Sequence, residues 1–263
     1  METTTQQHPL VLRHDEGKAI YLTLNLPNKL NTLSEEMLAS LQVELDAIAN
    51  DPKVMCVVIS GAGKAFCAGH DLGQMRATPE QAYYQDLFAR CGKVMQSIVN
   101  LPVPVIARVH GIATAAGCQL AASCDLVIAA ESARFGVSGI NVGLFCSTPA
   151  VALSRNVSNK RAFDMLITGD MIDANTACEF GLASQVVADE ALDTAVEEKV
   201  AKILSKSPTA VRTGKAMFYK QKQMELSEAY QYAGDVMAAN MMAADAGEGI
   251  EAFLQKRSPV WQE

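Results

Sequence analysis

None of the seven cysteines belongs to a C-x-x-C pair, no block of lysine and arginine occurs, and no apolar run approaches the roughly 20 residues that a bilayer span requires. The first absence argues against zinc-ribbon or thiol–disulfide chemistry. The second, with a formal net charge of −7, argues against a nucleic-acid surface, although a few local cations can still hold a small anionic ligand. The third predicts no membrane span. A Walker A loop, a G-x-G-x-x-G turn and histidine-rich metal spacing are also missing, since Gly61-Ala62-Gly63 lacks the third glycine and the helix context, so neither metal nor redox cofactor is expected. The opening METTTQQHP shows neither an apolar leader core nor an arginine-rich amphipathic pattern, so a cytoplasmic location is expected.

What is present is an ordinary globular composition, 49% apolar and 19% charged over 263 residues. The seven cysteines, at 56, 67, 91, 118, 124, 146 and 178, sit mostly inside apolar runs such as VMCVVIS and read as buried thiols of a reducing compartment. KAIYLTLNL at 18–26 alternates as a strand, and Glu16-Gly17 joins it as a hairpin to the preceding VLRH. Ser34 is placed to cap a helix whose Glu35 and Glu36 suit its positive end, with Met37, Leu38, Leu41, Leu45 and Ile48 as the apolar stripe and Asp51-Pro52 as the stop. VMCVVIS, VPVIARV and DLVIAA are short and apolar on both faces, with helical patterns between them, which predicts an α/β fold with parallel strands.

The strand signal ends near residue 187, after DANTACEF, stopped by Gly181, and SQVV. Beyond it only helices are expected, so the chain divides at about 195 into a βα core, 1–195, and a helical region, 196–263. Asp245 and Glu248 have capping-box spacing and predict the start of the last helix. The Met-rich helix at 225–244 packs either on its own core or on another subunit.

Two segments share one form, a strand, a small-residue turn and a helix start: SGAGKAFCAGHDL at 60–72 and VHGIATAAGCQL at 109–120. Each can aim a free backbone N–H at one point, and two such donors make an oxyanion hole for a carbonyl that gains negative charge. With FGVSGINVGL, DANTACEFGLASQVV and EGIEAFLQKRSPVW, these segments resemble, in order and across nearly the whole chain, the enoyl-CoA hydratase/isomerase (crotonase) superfamily.

The resemblance implies a ClpP-like spiral of ββα units, a C-terminal helical region that mediates homotrimers or dimers of trimers, and an acyl-CoA thioester as ligand, coenzyme A being part of the substrate and not a separate cofactor. It places the oxyanion donors at the N–H groups of His70 and Ala116, the latter tolerable as alanine if its φ stays negative. It places CoA contacts at Lys29, Leu30, Lys64, Ala68, Asp71 and Leu72, with Phe253 and Lys256 closing over the nucleotide from a neighbouring subunit. The two glutamates of family hydratases fall at 119 and 139, where this chain has Gln119 and Gly139.

An amide has no accessible proton equilibrium near neutral pH and glycine has no side chain, so efficient hydration is not expected. Gln119 can still orient a water or a substrate oxygen. The leading reading is therefore a lyase- or isomerase-type protein that stabilises a thioester enolate. One alternative is decarboxylation using His70, whose ring ordinarily titrates near neutrality; another is non-catalytic acyl-CoA binding. Asp71 and Asp125 also suit loop-holding roles, Cys118 and Cys146 read as inert buried thiols, and His110 reads as a satisfied structural histidine. Ser138, Asn141 and Ser147 are candidates for the acyl pocket wall.

Overall fold

The computed structural model describes residues 9–262. Residues 1–8, on which the reading of the opening segment rests, lie outside the described residues. The chain opens with a hairpin, β1 (Val11–Glu16) and β2 (Ala19–Leu24), paired antiparallel from Val11↔Leu24 to Glu16↔Ala19. The helix α1 (Glu35–Ala49) follows with the Ser34 hydroxyl accepting from the Met37 N–H at 3.2 Å. All five residues of its expected stripe are buried, each contributing roughly 1.5–3 kcal/mol relative to exposure.

Then come β3 (Cys56–Gly61), β4 (Ala65–Cys67), α2 (Leu72–Ala77), α3 (Gln81–Asn100), β5 (Val105–Val109), β6 (Ile112–Thr114), α4 (Ala116–Ser123), β7 (Leu126–Ala130) and β8 (Arg134–Gly136). They are followed by α5 (Ser147–Leu153), α6 (Asn159–Thr168), β9 (Ile172–Asp173), α7 (Ala174–Glu179) and β10 (Gln185–Val187). Four helices complete the chain: α8 (Leu192–Leu204), α9 (Pro208–Gln221), α10 (Leu226–Met241) and α11 (Ala244–Leu254).

Six strands form one sheet in the order β1-β2-β3-β5-β7-β10, parallel throughout except for the opening hairpin. Its two faces bury different sets. Val57, Ile59, Val105, Ala107 and Val127 enter the main core, whereas Cys56, Val58, Ile106 and Ile128 meet Leu192, Ala195, Val196 and Val200 of α8. That is why the three strand segments read as apolar on both faces. Residue 195 thus lies within a helix packed on the sheet.

A second sheet, β4-β6-β8-β9, is built from strands of two or three residues, too short for any alternation to show in the sequence. β4, β6 and β8 run parallel. Each continues a longer strand after a turn, so the chain climbs in repeated strand–strand–helix units, the mixed α/β spiral that was expected.

The helix α9 is held to this core by Lys215, whose ammonium donates to the carbonyls of Ile98 (3.1 Å) and Val103 (2.9 Å) and to Asp125 Oδ2 (2.7 Å). Burial lowers the Lys215 pKa, and the Asp125 charge opposes that shift. Asp125 also accepts from the Val105 N–H at 2.6 Å, which is its structural task.

The capping-box expectation at the last helix does not hold. Ala243 is the N-cap of α11 and supplies no side-chain bond. Asp245 instead accepts from the Ser207 hydroxyl (2.5 Å) and the Gln262 N–H (2.9 Å), and Glu248 pairs with Arg257 (2.6 Å). The chain end folds back over α11, and these carboxylates serve that tertiary contact.

Candidate active site

The site is set by the pairing of β4 with β6, in register Ala65↔Ile112 and Cys67↔Ala113. Because the strands are parallel neighbours, the turns that leave them emerge side by side. The first turn runs through Ala68, Gly69 and His70 into α2, with Asp71 as N-cap. The second runs through Ala115 into α4. Gly69 (φ +88°) lies against the second turn: a Cβ added there would stand 2.9 Å from the Ala115 Cβ and 3.2 Å from the Ala116 nitrogen. Only glycine fits, on both conformational and steric grounds.

His70 and Ala116 both keep their N–H groups out of the turn and cap hydrogen bonds among the described residues, where Leu33 N–H instead meets Gly69 O at 2.8 Å. Ala116 is the first residue of α4, so its N–H has no intrahelical acceptor and lies at the positive end of the helix. The condition placed on alanine at 116 is met in an instructive way. The positive φ falls one residue earlier, on Ala115 (φ +50°, ψ −121°), a conformation that L-residues rarely adopt and that costs on the order of 1–3 kcal/mol. Sequence reasoning missed this strained residue, because alanine gives no signal of it.

The His70 ring lies edge-on to Phe88, with centroids 5.5 Å apart. Its Nδ1 lies 3.1 Å from the Leu33 carbonyl, a geometry in which Nδ1–H donates and Nε2 keeps a lone pair. Nε2 is buried without a partner among the described residues. Burial pushes the His70 pKa down, only partly offset by the Leu33 bond, which favours the neutral ring.

Gln119 follows on α4, only 5% exposed, with Oε1 unpartnered among the described residues. Gly139 is closed to any side chain. A Cβ there would stand 2.7 Å from both Cys146 Sγ and the Leu144 carbonyl oxygen, and the Gly139 N–H donates to that sulfur at 3.3 Å. Cys146 and Cys118 are buried thiols; burial holds the first above its usual range and pushes the second up to about 12, whereas Cys178, expected to be buried like the other six, lies on the exposed face of α7.

Of the three pocket-wall candidates, Ser138 pairs with Thr114 (Oγ to Oγ1, 2.9 Å), while Asn141 and Ser147 are exposed, the first donating to the Gly169 carbonyl after α6 and the second, locally, to the Phe145 carbonyl. The structure carries no carboxylate at 119 or 139, and among the described residues no cluster of three or more His, Cys, Asp and Glu stands ready for a metal.

The candidate CoA contacts gather around the first turn. Lys29 ion-pairs with Asp71 at 2.8 Å, and Asp71 also accepts from the Gln74 N–H at 3.1 Å. The Asp71 carboxyl is therefore held below its usual range, chiefly by Lys29. Leu30 (φ +52°) closes the short 3-10 turn Pro27–Lys29, and its carbonyl accepts from the Ala68 N–H at 3.0 Å. Lys64 and Leu72 are exposed. Phe253 and Lys256 are exposed as well, but they belong to α11 and its C-terminal end, on a helix packed against α9 and α10.

Comparison with known proteins agrees with this architecture. The chain is 56% identical to a solved enoyl-CoA hydratase of Mycobacterium smegmatis, with a TM-score of 0.95 over 97% of this chain and 99% of that one. It superimposes on human enoyl-CoA hydratase domain-containing protein 3 with a TM-score of 0.93 at 44% identity, covering 96% and 100% of the two chains. The mitochondrial protein of that name from Xenopus laevis is 43% identical over 256 residues, 97% of this chain and 87% of the relative. These curated relatives, the rat and human proteins included, are named as mitochondrial, which overturns the cytoplasmic expectation. That expectation rested on composition and on the opening residues, neither of which reports a compartment securely. The profile of the enoyl-CoA hydratase/isomerase family matches residues 15–263, and the chain accordingly belongs to that family, with its crotonase fold.

Proposed function

We propose that this protein binds an acyl-CoA thioester with its carbonyl oxygen between the N–H groups of His70 and Ala116, and stabilises the enolate that forms there. The observation that carries the reading is the contact of Gly69 with the Ala115–Ala116 peptide, which brings the two donor turns together. Two preorganised donors, each worth about 3–4 kcal/mol toward a developing oxyanion, supply a large share of the stabilisation that a thioester enolate needs. Lys29, Leu30, Lys64, Ala68, Asp71 and Leu72 are assigned to the CoA side. The region 196–263 is assigned to assembly into trimers or paired trimers, from which Phe253 and Lys256 of one copy reach the nucleotide of another.

With Gln119 and Gly139 in place of the acids, water addition has no carboxylate base, so turnover of a simple 2-enoyl-CoA is slow although relatives carry the name hydratase. Crotonyl-CoA turnover at the rate of a glutamate-bearing hydratase would sink this reading. Enolate stabilisation itself is read from the infrared carbonyl stretch of a bound ¹³C-labelled acyl-CoA, which shifts to lower frequency in the hole and stays at its solution value if the hole is not used.

A second reading is loss of carbon dioxide from a malonyl-type ester: the bond from the α-carbon to the carboxylate breaks, carbon dioxide leaves, and the enolate in the hole takes a proton at carbon from a water, with hydroxide released to solvent; the unpartnered His70 Nε2, which accepts, can hold that water. Mass spectrometry of malonyl-CoA mixtures separates the readings: acetyl-CoA formation that is lost in His70→Ala supports decarboxylation. Binding by calorimetry with no product from any ester makes the protein a non-catalytic binder.

A further inference from the structure

The glycine-rich turn 61–64 carries Lys64 and would ordinarily be a mobile tip. Here the carbonyls of Ala62 and Gly63, and that of Ala65 just beyond, are each engaged. Asn31, fully buried at φ +55°, donates its amide Nδ2 to the Ala62 carbonyl (2.9 Å) and the Ala65 carbonyl (2.8 Å). Its Oδ1 accepts from the Leu26 N–H at 2.9 Å, so the same side chain fixes the loop that bears Lys29 and Leu30. From the opposite side, His110 Nε2 lies 2.7 Å from the Gly63 carbonyl.

The tautomer of His110 follows from its other contact. Arg108 Nη1 is 3.1 Å from His110 Nδ1, and a guanidinium only donates, so Nδ1 accepts and Nε2 bears the hydrogen given to Gly63. Arg108 is in turn held by Asp193 of α8 at 2.5 Å. Gly111, next in the chain, is in the left-handed region (φ +64°) with its Cα directly beneath the Lys64 carbonyl, where any Cβ would overlap that oxygen.

We propose that His110, oriented by Arg108, is a positioning residue for the nucleotide end of the CoA ester: with Asn31 it clamps the 62–65 turn and presets Lys64 relative to Lys29 and Leu30. This rests on the reading of those residues as CoA contacts. The clamp orders the turn on folding, so its ordering entropy does not weaken ligand binding. His110 and its partner Gly63 precede β6 and β4, whereas the N–H groups of His70 and Ala116 follow them, so the clamp sits at the opposite ends of these parallel strands from the hole; it governs affinity for the nucleotide and leaves the thioester end unchanged.

The test compares binding of acetyl-CoA with that of acetyl-pantetheine, which lacks the nucleotide, by calorimetry on the assembled full-length protein. Wild type is expected to prefer acetyl-CoA. His110→Ala should reduce that preference about tenfold, by weakening acetyl-CoA binding alone. His110→Gln, which returns an N–H near the Nε2 position, should restore it to within about twofold. Arg108→Met gives a second reading in the same direction, independent of how well the alanine variant folds. The proposal is overturned if His110→Ala and Arg108→Met keep the wild-type preference, or if acetyl-pantetheine binding falls in parallel. Equal binding of the two ligands by wild type overturns the nucleotide reading itself, and the clamp's function with it.

Discussion

Returning glutamate to positions 119 and 139 is expected to fail at 139 for a reason visible at the first side-chain carbon. The Cβ of any residue at 139 would lie 2.7 Å from Cys146 Sγ and from the Leu144 oxygen, whereas ordinary contact begins at 3.4 Å, a shortfall of 3.4 − 2.7 = 0.7 Å against two atoms at once. The Leu144 oxygen is backbone, in a loop closed by the Leu144 N–H bond to the Gly139 carbonyl at 2.9 Å, so it does not swing aside as a long side chain would. Overpacking of this kind costs about 1–3 kcal/mol. At roughly 2–4 °C per kcal/mol for a chain of this size, Gly139→Ala and Gly139→Glu should each melt roughly 2–12 °C below wild type.

Gln119→Glu is a different perturbation. It adds no volume but puts a carboxyl where Gln119 is only 5% exposed, so its folded pKa is raised above the unfolded value. Its cost is absent below the unfolded value, about 4.3, and grows as pH rises toward the folded one. Thermal melts across pH, with crotonyl-CoA hydration followed by loss of enoyl absorbance, check both statements. Adding Cys146→Ala should recover part of the Gly139→Ala loss, a non-additive result. The reasoning is refuted if Gly139→Glu is as stable as wild type, or if the Gln119→Glu, Gly139→Glu double variant hydrates crotonyl-CoA at the rate of a glutamate-bearing hydratase.

Ala115→Gly should stabilise the protein. Strain at φ +50° of about 2 kcal/mol is relieved, against about 0.7 kcal/mol of added unfolded-state freedom and part of one buried methyl, for a net gain of about 1 kcal/mol; a denaturation midpoint lower than wild type contradicts this. The chain end should detach on acidification. Arg257 and the Val260 N–H hold Glu248 at about 2, so its contribution is present in full above the unfolded value near 4.5 and disappears as pH falls toward 2. The single tryptophan, Trp261, bonds the Ser205 carbonyl at 2.8 Å and reports this directly. Its emission should shift to the red over that range, and at neutral pH in Glu248→Gln; an unchanged spectrum in the variant counts against the contact.

The sequence displayed what repeats along the chain. The α1 stripe with its Ser34 cap, which accepts from the Met37 N–H at 3.2 Å, and the apolar strands at 54–60, 103–109 and 125–130 all rest on local periodicity or on a local bond. The second sheet did not show, because strands of two or three residues carry no period. Asp245 and Glu248 misled for the opposite reason: their spacing is that of a cap, but the returning chain end competes for both carboxylates and wins. His110 read as structural, and both its ring nitrogens are indeed engaged, yet only the fold shows that its partner is the turn bearing Lys64.

The sequence by itself determined the α/β class, the two small-residue turns and the absence of carboxylates at 119 and 139, since these depend on residue type and order alone. Tertiary structure decided that the two turns meet through Gly69 and Ala115, that the strain falls on Ala115 and not on Ala116, and that Cys146 and the Leu144 carbonyl fill the space beside Gly139. Those are contacts between segments distant in the chain, fixed by strand register and close packing, and no local pattern of residues encodes them.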